Sequence, residues 1–207
     1  MTDSLYIYNE PAHSTLIKEF EAMNKDLNMV EQMMSACFAV ISEKLKVSGN
    51  ESQAVEKMIK ALQYHDILRQ RLEHIREIHD LVIAELKGVS GNVSTPDLKF
   101  IALIPRISTL NILQLEEIDQ ELKMSGGSII AEEYFSISEV VSEIGKRLER
   151  VADLFSSGSH KIGNSKNDSF HQLESIYTMK SERRILYKVF DLPFMEDAVK
   201  QNETEFF

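Results

Sequence analysis

The 207-residue chain has one cysteine, four prolines, eight glycines and no tryptophan. A single thiol, Cys37, excludes an internal disulfide. It lies in the apolar run "MMSACFAV", the ordinary setting of a small buried side chain rather than of a nucleophile. The scarcity of proline and glycine leaves little to interrupt long helices, and Leu, Ile, Glu, Lys, Met and Gln favour them. Positive charge is also short: 23 Lys and Arg stand against 33 Asp and Glu, a formal charge of −10. Such a chain repels phosphate backbones and anionic membrane surfaces, so no nucleic-acid partner is expected. No apolar run reaches the roughly 18 residues that span a bilayer. The opening "MTDSLYIYNEPAHS" lacks the basic start and apolar core of a signal peptide. No membrane insertion and a cytoplasmic location are the expectations. What the chain does have is 43% hydrophobic residues, enough for a substantial core.

Those residues are patterned. Leu16, Phe20, Met23, Leu27, Val30, Met34 and Cys37 step by threes and fours, which predicts a first helix over 14–46. "VSGNES" breaks it, with Asn50 and Gln53 placed to cap a second helix over 51–87 that Gly88 would stop. Thr95, Pro96 and Asp97 form a helix start. The third helix runs to about 124, either kinking at Pro105 or beginning near Ile104. A fourth helix covers 131–155. The Ser/Gly/Asn-rich 156–169 reads as a linker, and a fifth helix follows over 170–190 until Pro193. The expected organisation is a helical-bundle domain over 1–155, a linker over 156–169, and a C-terminal helix and tail over 170–207. The expected fold is all-α: an elongated antiparallel four-helix bundle with an additional C-terminal helix after a flexible linker. The same hairpins can equally pair across a homodimer. The fifth helix's apolar stripe favours packing back on the bundle. The tail around Phe190, Leu192, Phe194 and Met195 is the better candidate for a loose docking peptide.

Within the second helix, "ALQYHDILRQRLEHI" places polar side chains amid apolar spacing. At about 100° per residue, Tyr64, Leu68, Ile75 and Val82 share one arc, flanked by Leu72 and Ile78. Asp66, Gln63, Gln70, Glu73 and Glu77 lie on the opposite side. A solvated polar face explains such an arc on most helices. One turn upstream, however, Val55, Ile59 and Leu62 fall on the same outward side as Asp66. Either the core stripe drifts along the helix, or an apolar docking patch adjoins a polar site.

The stretch "LQYHDILRQ" resembles the active-site helix of CheZ-type chemotaxis phosphatases, in which a Gln-aromatic-x-Asp-x-x-x-Gln pattern lies on a long bundle helix. Here the pattern is Gln63, Tyr64, His65, Asp66 and Gln70. Leu68 and Arg69 stand where that family carries Thr-Gly, and His65 where Gln is more common. The resemblance implies hydrolysis of the phosphoaspartate on a CheY-like response-regulator receiver domain. The receiver would bring its own acyl phosphate, Mg²⁺ and Lys, so the phosphatase needs no cofactor and no metal of its own. Gln70 would orient the attacking water, as a carboxamide does in GTPases. Asp66, one turn earlier, would pair with the receiver's Lys. Gln63, Ile59, Leu62 and Glu73 would contact the partner. The alternative is a non-catalytic adaptor that binds a receiver domain or a chemoreceptor through the same face.

Other chemistries find less support. "AELKGVSGNVS" matches a histidine-phosphotransfer motif at Leu86, Lys87, Gly88 and Ser90, but Ala84 stands where the phosphorylated His must be. His65, His74 and His79 do not share a compact face, and no metal site is expected. No Gly-rich phosphate loop or nucleophile elbow is present. The locally basic "YTMKSERRILYKVF" is read as a helix that packs its apolar side and pairs its charges with the acidic remainder.

Overall fold

Leu16, Phe20, Met23, Leu27, Val30, Met34 and Cys37 are all buried, so the threes-and-fours stepping is one continuous core stripe along α1, Glu10–Val47. The computed structural model describes residues 10–47, 51–90, 98–125, 131–156 and 168–194. Among these, every regular element is a helix. α2 spans Glu51–Ser90, α3 Leu98–Ile101, α4 Ile104–Ser125, α5 Ala131–Ser156, α6 Asp168–Ile176 and α7 Lys180–Val189. Residues 1–9, the Asn50 and Thr95–Asp97 caps, most of the linker (157–167) and the tail from Met195 lie outside the described residues.

α1 packs along α2, α4 along α5, α1 along α5, and α2 against α4. Polar ties fix the sense of the first pair. Glu21 meets Lys87 at 2.9 Å, Asn24 donates to Asp80 at 2.8 Å, and Ser35 lies 3.4 Å from His65. Arg76 reaches both Asn28 and Glu31. Numbers rise on α1 as they fall on α2, so the two helices are antiparallel. Between them lie Phe20, Met23 and Leu27 from α1 and Leu68, Leu72, Ile75, Ile78 and Val82 from α2, all buried. Each such aliphatic side chain contributes about 1.5–3 kcal/mol on burial, more than any of the exposed ion pairs. α5 adds Ile137, Val141, Ile144, Leu148 and Val151 at helical spacing.

Two boundaries differ from the sequence reading, and a third, the helix start near Ile104, matches one of its two alternatives. α1 begins at Glu10, with Pro11 in its first turn, where no amide donor is needed. α2 continues through Gly88 to Ser90. The third helix is two: α3 ends at Ile101, a turn follows, and Pro105 sits in the first turn of α4. The break is closed by Leu103 N–H donating to the Phe100 carbonyl at 2.8 Å, and it buries Phe100, Leu103 and Ile104.

The C-terminal segment is also divided, at 177–179, between α6 and α7. No proline or glycine forces this. The break instead lets Tyr177 and Glu182 both point inward, each completely buried. The Glu182 carboxylate accepts from the Met179 N–H at 3.3 Å, satisfying one orphan donor of the α7 start. At the other end Leu192 N–H donates to the Tyr187 carbonyl and Asp191 N–H to that of Lys188. Asp191 has φ 54°, the left-handed residue that this double closure requires. α7 lies against α4 and α6 against α2. Phe170, Leu173, Tyr177, Ile185, Leu186 and Phe190 all join the core. Phe190 is thus an anchor, not part of a loose tail, and Phe194 rests edge-on against Tyr187 with ring centroids 5.4 Å apart.

Candidate functional site

The central turns of α2 carry the core stripe on one side and the candidate residues on the other. Leu68 and Leu72 hold the helix to the core. That fixes the azimuth of Asp66 and Gln70 outside it. The Asp66 side chain is 57% exposed, and Gln70 and Gln63 are half-buried. Gln70 Nε2 donates to Asp66 Oδ2 at 3.2 Å. The other carboxylate oxygen takes Arg69 Nη2 at 3.1 Å, and Arg69 Nη1 reaches Glu73 at 3.4 Å. Arg69, at one of the positions that departs from the family pattern, therefore clips Asp66 and Glu73 together. Upstream, Val55, Ile59 and Leu62 are 52%, 50% and 46% exposed. The geometry brings Asp66, Gln70 and Glu73 into one hydrogen-bonded group. Ile59 and Leu62 are exposed one to two turns away.

Tyr64 packs against the core from the other side of α2. His65 sits at the α1 boundary, its ring 5.3 Å from that of Phe38. Burial, reinforced by the nearby Arg69 cation, holds its pKa below the ordinary imidazole value. His65 is therefore a neutral neighbour of the site at pH 7, a hydrogen-bonding group rather than a second cation.

A second polar cluster lies one turn further along α2. Arg71 is buried, with Nη1 3.1 Å from both Glu117 and Glu121 on α4, and its Nη2 donates to Ser181 of α7 at 3.0 Å. His74 Nδ1 lies 2.9 and 3.0 Å from the two Glu182 oxygens. Gln114 donates to the Glu182 carbonyl and Tyr177 to Asn111, both inside the same seam. Sequence reasoning missed this cluster. Arg71 and His74 occupy the margins of the α2 core arc, but their partners are 46 to 110 residues distant, and no local pattern announces them. His79 is fully buried and bonded through Nδ1 to Asn24 at 2.8 Å; burial lowers its pKa to about 3.

Among the described residues no cluster of three or more His, Cys, Asp or Glu side chains is arranged to hold a metal ion. No described helix is long and apolar enough to cross a membrane. No family model matches the chain, no curated protein matches it, and no solved structure matches it.

Proposed function

We propose that α1, α2, α4 and α5 form an elongated antiparallel four-helix bundle that displays a CheZ-like site for a phosphorylated, CheY-like response regulator in the cytoplasm. The observation that carries the reading is the Gln70–Asp66 pair, one turn apart on an accessible helix face beside exposed Ile59 and Leu62. A rigid helix holds both groups to a fixed separation, as in-line water placement requires. In this mechanism the receiver supplies the acyl phosphate and Mg²⁺. Gln70 accepts a hydrogen bond from the attacking water through its carbonyl oxygen, Asp66 pairs with the receiver's Lys, and the apolar residues seat the partner. No covalent enzyme intermediate forms. The phosphorus–oxygen bond to the receiver aspartate breaks as the water oxygen bonds to phosphorus, releasing phosphate and a free carboxylate.

One observation favours a non-catalytic adaptor as the second reading: both Asp66 oxygens already have intrachain partners, Arg69 and Gln70. The two readings part in a direct assay. Receiver domains phosphorylated with a small-molecule donor are mixed with the protein, and phosphate release is followed. Catalysis predicts accelerated release that drops by about 10²-fold in Gln70→Ala, the order lost when a positioning group is removed. An equal rate in the variant refutes the role given to Gln70, and binding without acceleration favours the adaptor.

A further inference from the structure

We infer that the His74–Glu182 contact is a proton-operated latch that seats the α6–α7 segment on α2 and α4. The segment is apolar where its two helices meet at their far ends, Phe170 resting edge-on against Tyr187 and Phe190 with ring centroids 5.5 and 5.3 Å apart. Near the turn between α6 and α7 sits instead a buried carboxylate, Glu182, facing an imidazole that is itself buried. An ionised carboxylate in that position is costly unless a cation and donors surround it. Its donors are the Met179 N–H and His74 Nδ1, and the cation is His74 in its protonated form.

The surroundings make His74 the charge-changing member. From α2, Glu73 and Glu77 add negative potential, while Arg71 is committed to Glu117 and Glu121 of α4. From α4, the neutral amide of Gln114 donates to the Glu182 carbonyl. Tyr177, beyond the end of α6, is kept neutral: burial and the Glu182 charge push its pKa well above the ordinary tyrosine value. Burial alone would lower the His74 pKa, but its hydrogen bond to Glu182, the Glu182 charge, and then Glu77 and Glu73 together raise it above 6.5. The sign follows. A group bound more tightly when protonated stabilises the seated state fully below its free value, near 6.5, and that contribution is lost as pH rises through the seated value. Above it, the buried carboxylate keeps only neutral donors, and the segment loosens.

Amide hydrogen exchange on the full-length protein, corrected for intrinsic chemistry and followed from about pH 6 to pH 9, tests the latch. The opening constant of residues 168–194 is expected to rise with pH, by no more than about tenfold per pH unit for one proton. The α1 and α5 amides should hold their protection. In His74→Gln, which keeps a side-chain donor without the titrating charge, the rise should vanish; this also separates His74 from Glu121, whose pKa burial likewise raises. The wild-type His74 imidazole titration, read by NMR, should share the pH range of the exchange transition. A flat profile over 168–194, loosening of α1 and α5 in step, an unchanged rise in His74→Gln, or a His74 midpoint outside the transition would each overturn the proposal.

Discussion

Replacing Arg71 with Met takes one buried cation from the seam and leaves an unbranched apolar chain in its place. The Arg71 side chain is 5% exposed, and its partners Glu117 and Glu121 are 39% and 22% exposed. Breaking a fully buried pair by deleting one partner costs about 3–5 kcal/mol. Glu117 is open enough to water that its share falls towards the ~0–1 kcal/mol of a surface pair. The bond to Ser181 is charge-assisted, a class worth about 1.5–3 kcal/mol, although Ser181 is only half-buried. A total near 3 kcal/mol at pH 7 is expected, or roughly 6–12 °C in Tm for a chain of this length. The deficit should also depend on pH. Burial raises the Glu121 pKa, Arg71 opposes that rise and Glu117 adds to it. An acid whose folded pKa lies above its unfolded value weakens the fold at high pH and ceases to do so as pH falls through the folded pKa. Without Arg71 the rise is larger, so the deficit against wild type is greatest near pH 7 and shrinks near pH 5. Denaturant unfolding followed by far-UV circular dichroism at both pH values measures it. A loss below about 0.5 kcal/mol at pH 7, or a deficit that grows on acidification, refutes the assignment of Arg71 as the neutralising group of the seam.

Arg69→Ala removes the cationic one of the two intrachain partners of Asp66. Calorimetric titration with a receiver carrying a stable acyl-phosphate mimic should show binding up to about fivefold tighter, the ~0.2–1 kcal/mol of an exposed pair; weaker binding would mean that Arg69 itself contacts the partner. His79 has its pKa lowered to about 3, so it is buried neutral. The unfolded chain takes up that proton as pH falls below about 6.5, and stability should drop by about 1.4 kcal/mol per pH unit on the acid side. His79→Leu should lack this component, visible as a wild-type-minus-variant difference that narrows steadily with acidification; a difference independent of pH contradicts the buried neutral imidazole.

The period of apolar residues carried most of the architecture. Seven α1 positions read from spacing alone are all buried, because a helix's core face is a local property of its own sequence. The same reading placed Asp66 and Gln70 outside the α2 core stripe, where they lie. It did not foresee the α6–α7 break, since the sequence "YTMKSE" has no breaking residue; the helix yields there to inward placement of Tyr177 and Glu182. Nor did it find the clip made by Arg69, which was seen only as a departure from a motif, or the partners of Arg71 and His74. Tertiary hydrogen bonds between residues more than a hundred apart leave no periodic trace in a single sequence.

Those separations set an order of assembly. The ties between α1 and α2 join residues 30 to 66 apart, whereas α7 reaches His74 and Arg71 across 108 and 110. Contacts close in sequence form sooner, and the entropy of closing a loop grows with its length. The helical hairpins should therefore gather first, and α6–α7 should dock after them. Until it does, the face awaiting it presents Arg71, His74, Asn111 and Gln114 beside its apolar residues, a surface that water can solvate. A polar seam at this later docking step gives the half-assembled chain a face less prone to self-association than an all-leucine one. Pulse-labelled exchange during refolding should find α1 and α2 amides protected before those of 168–194.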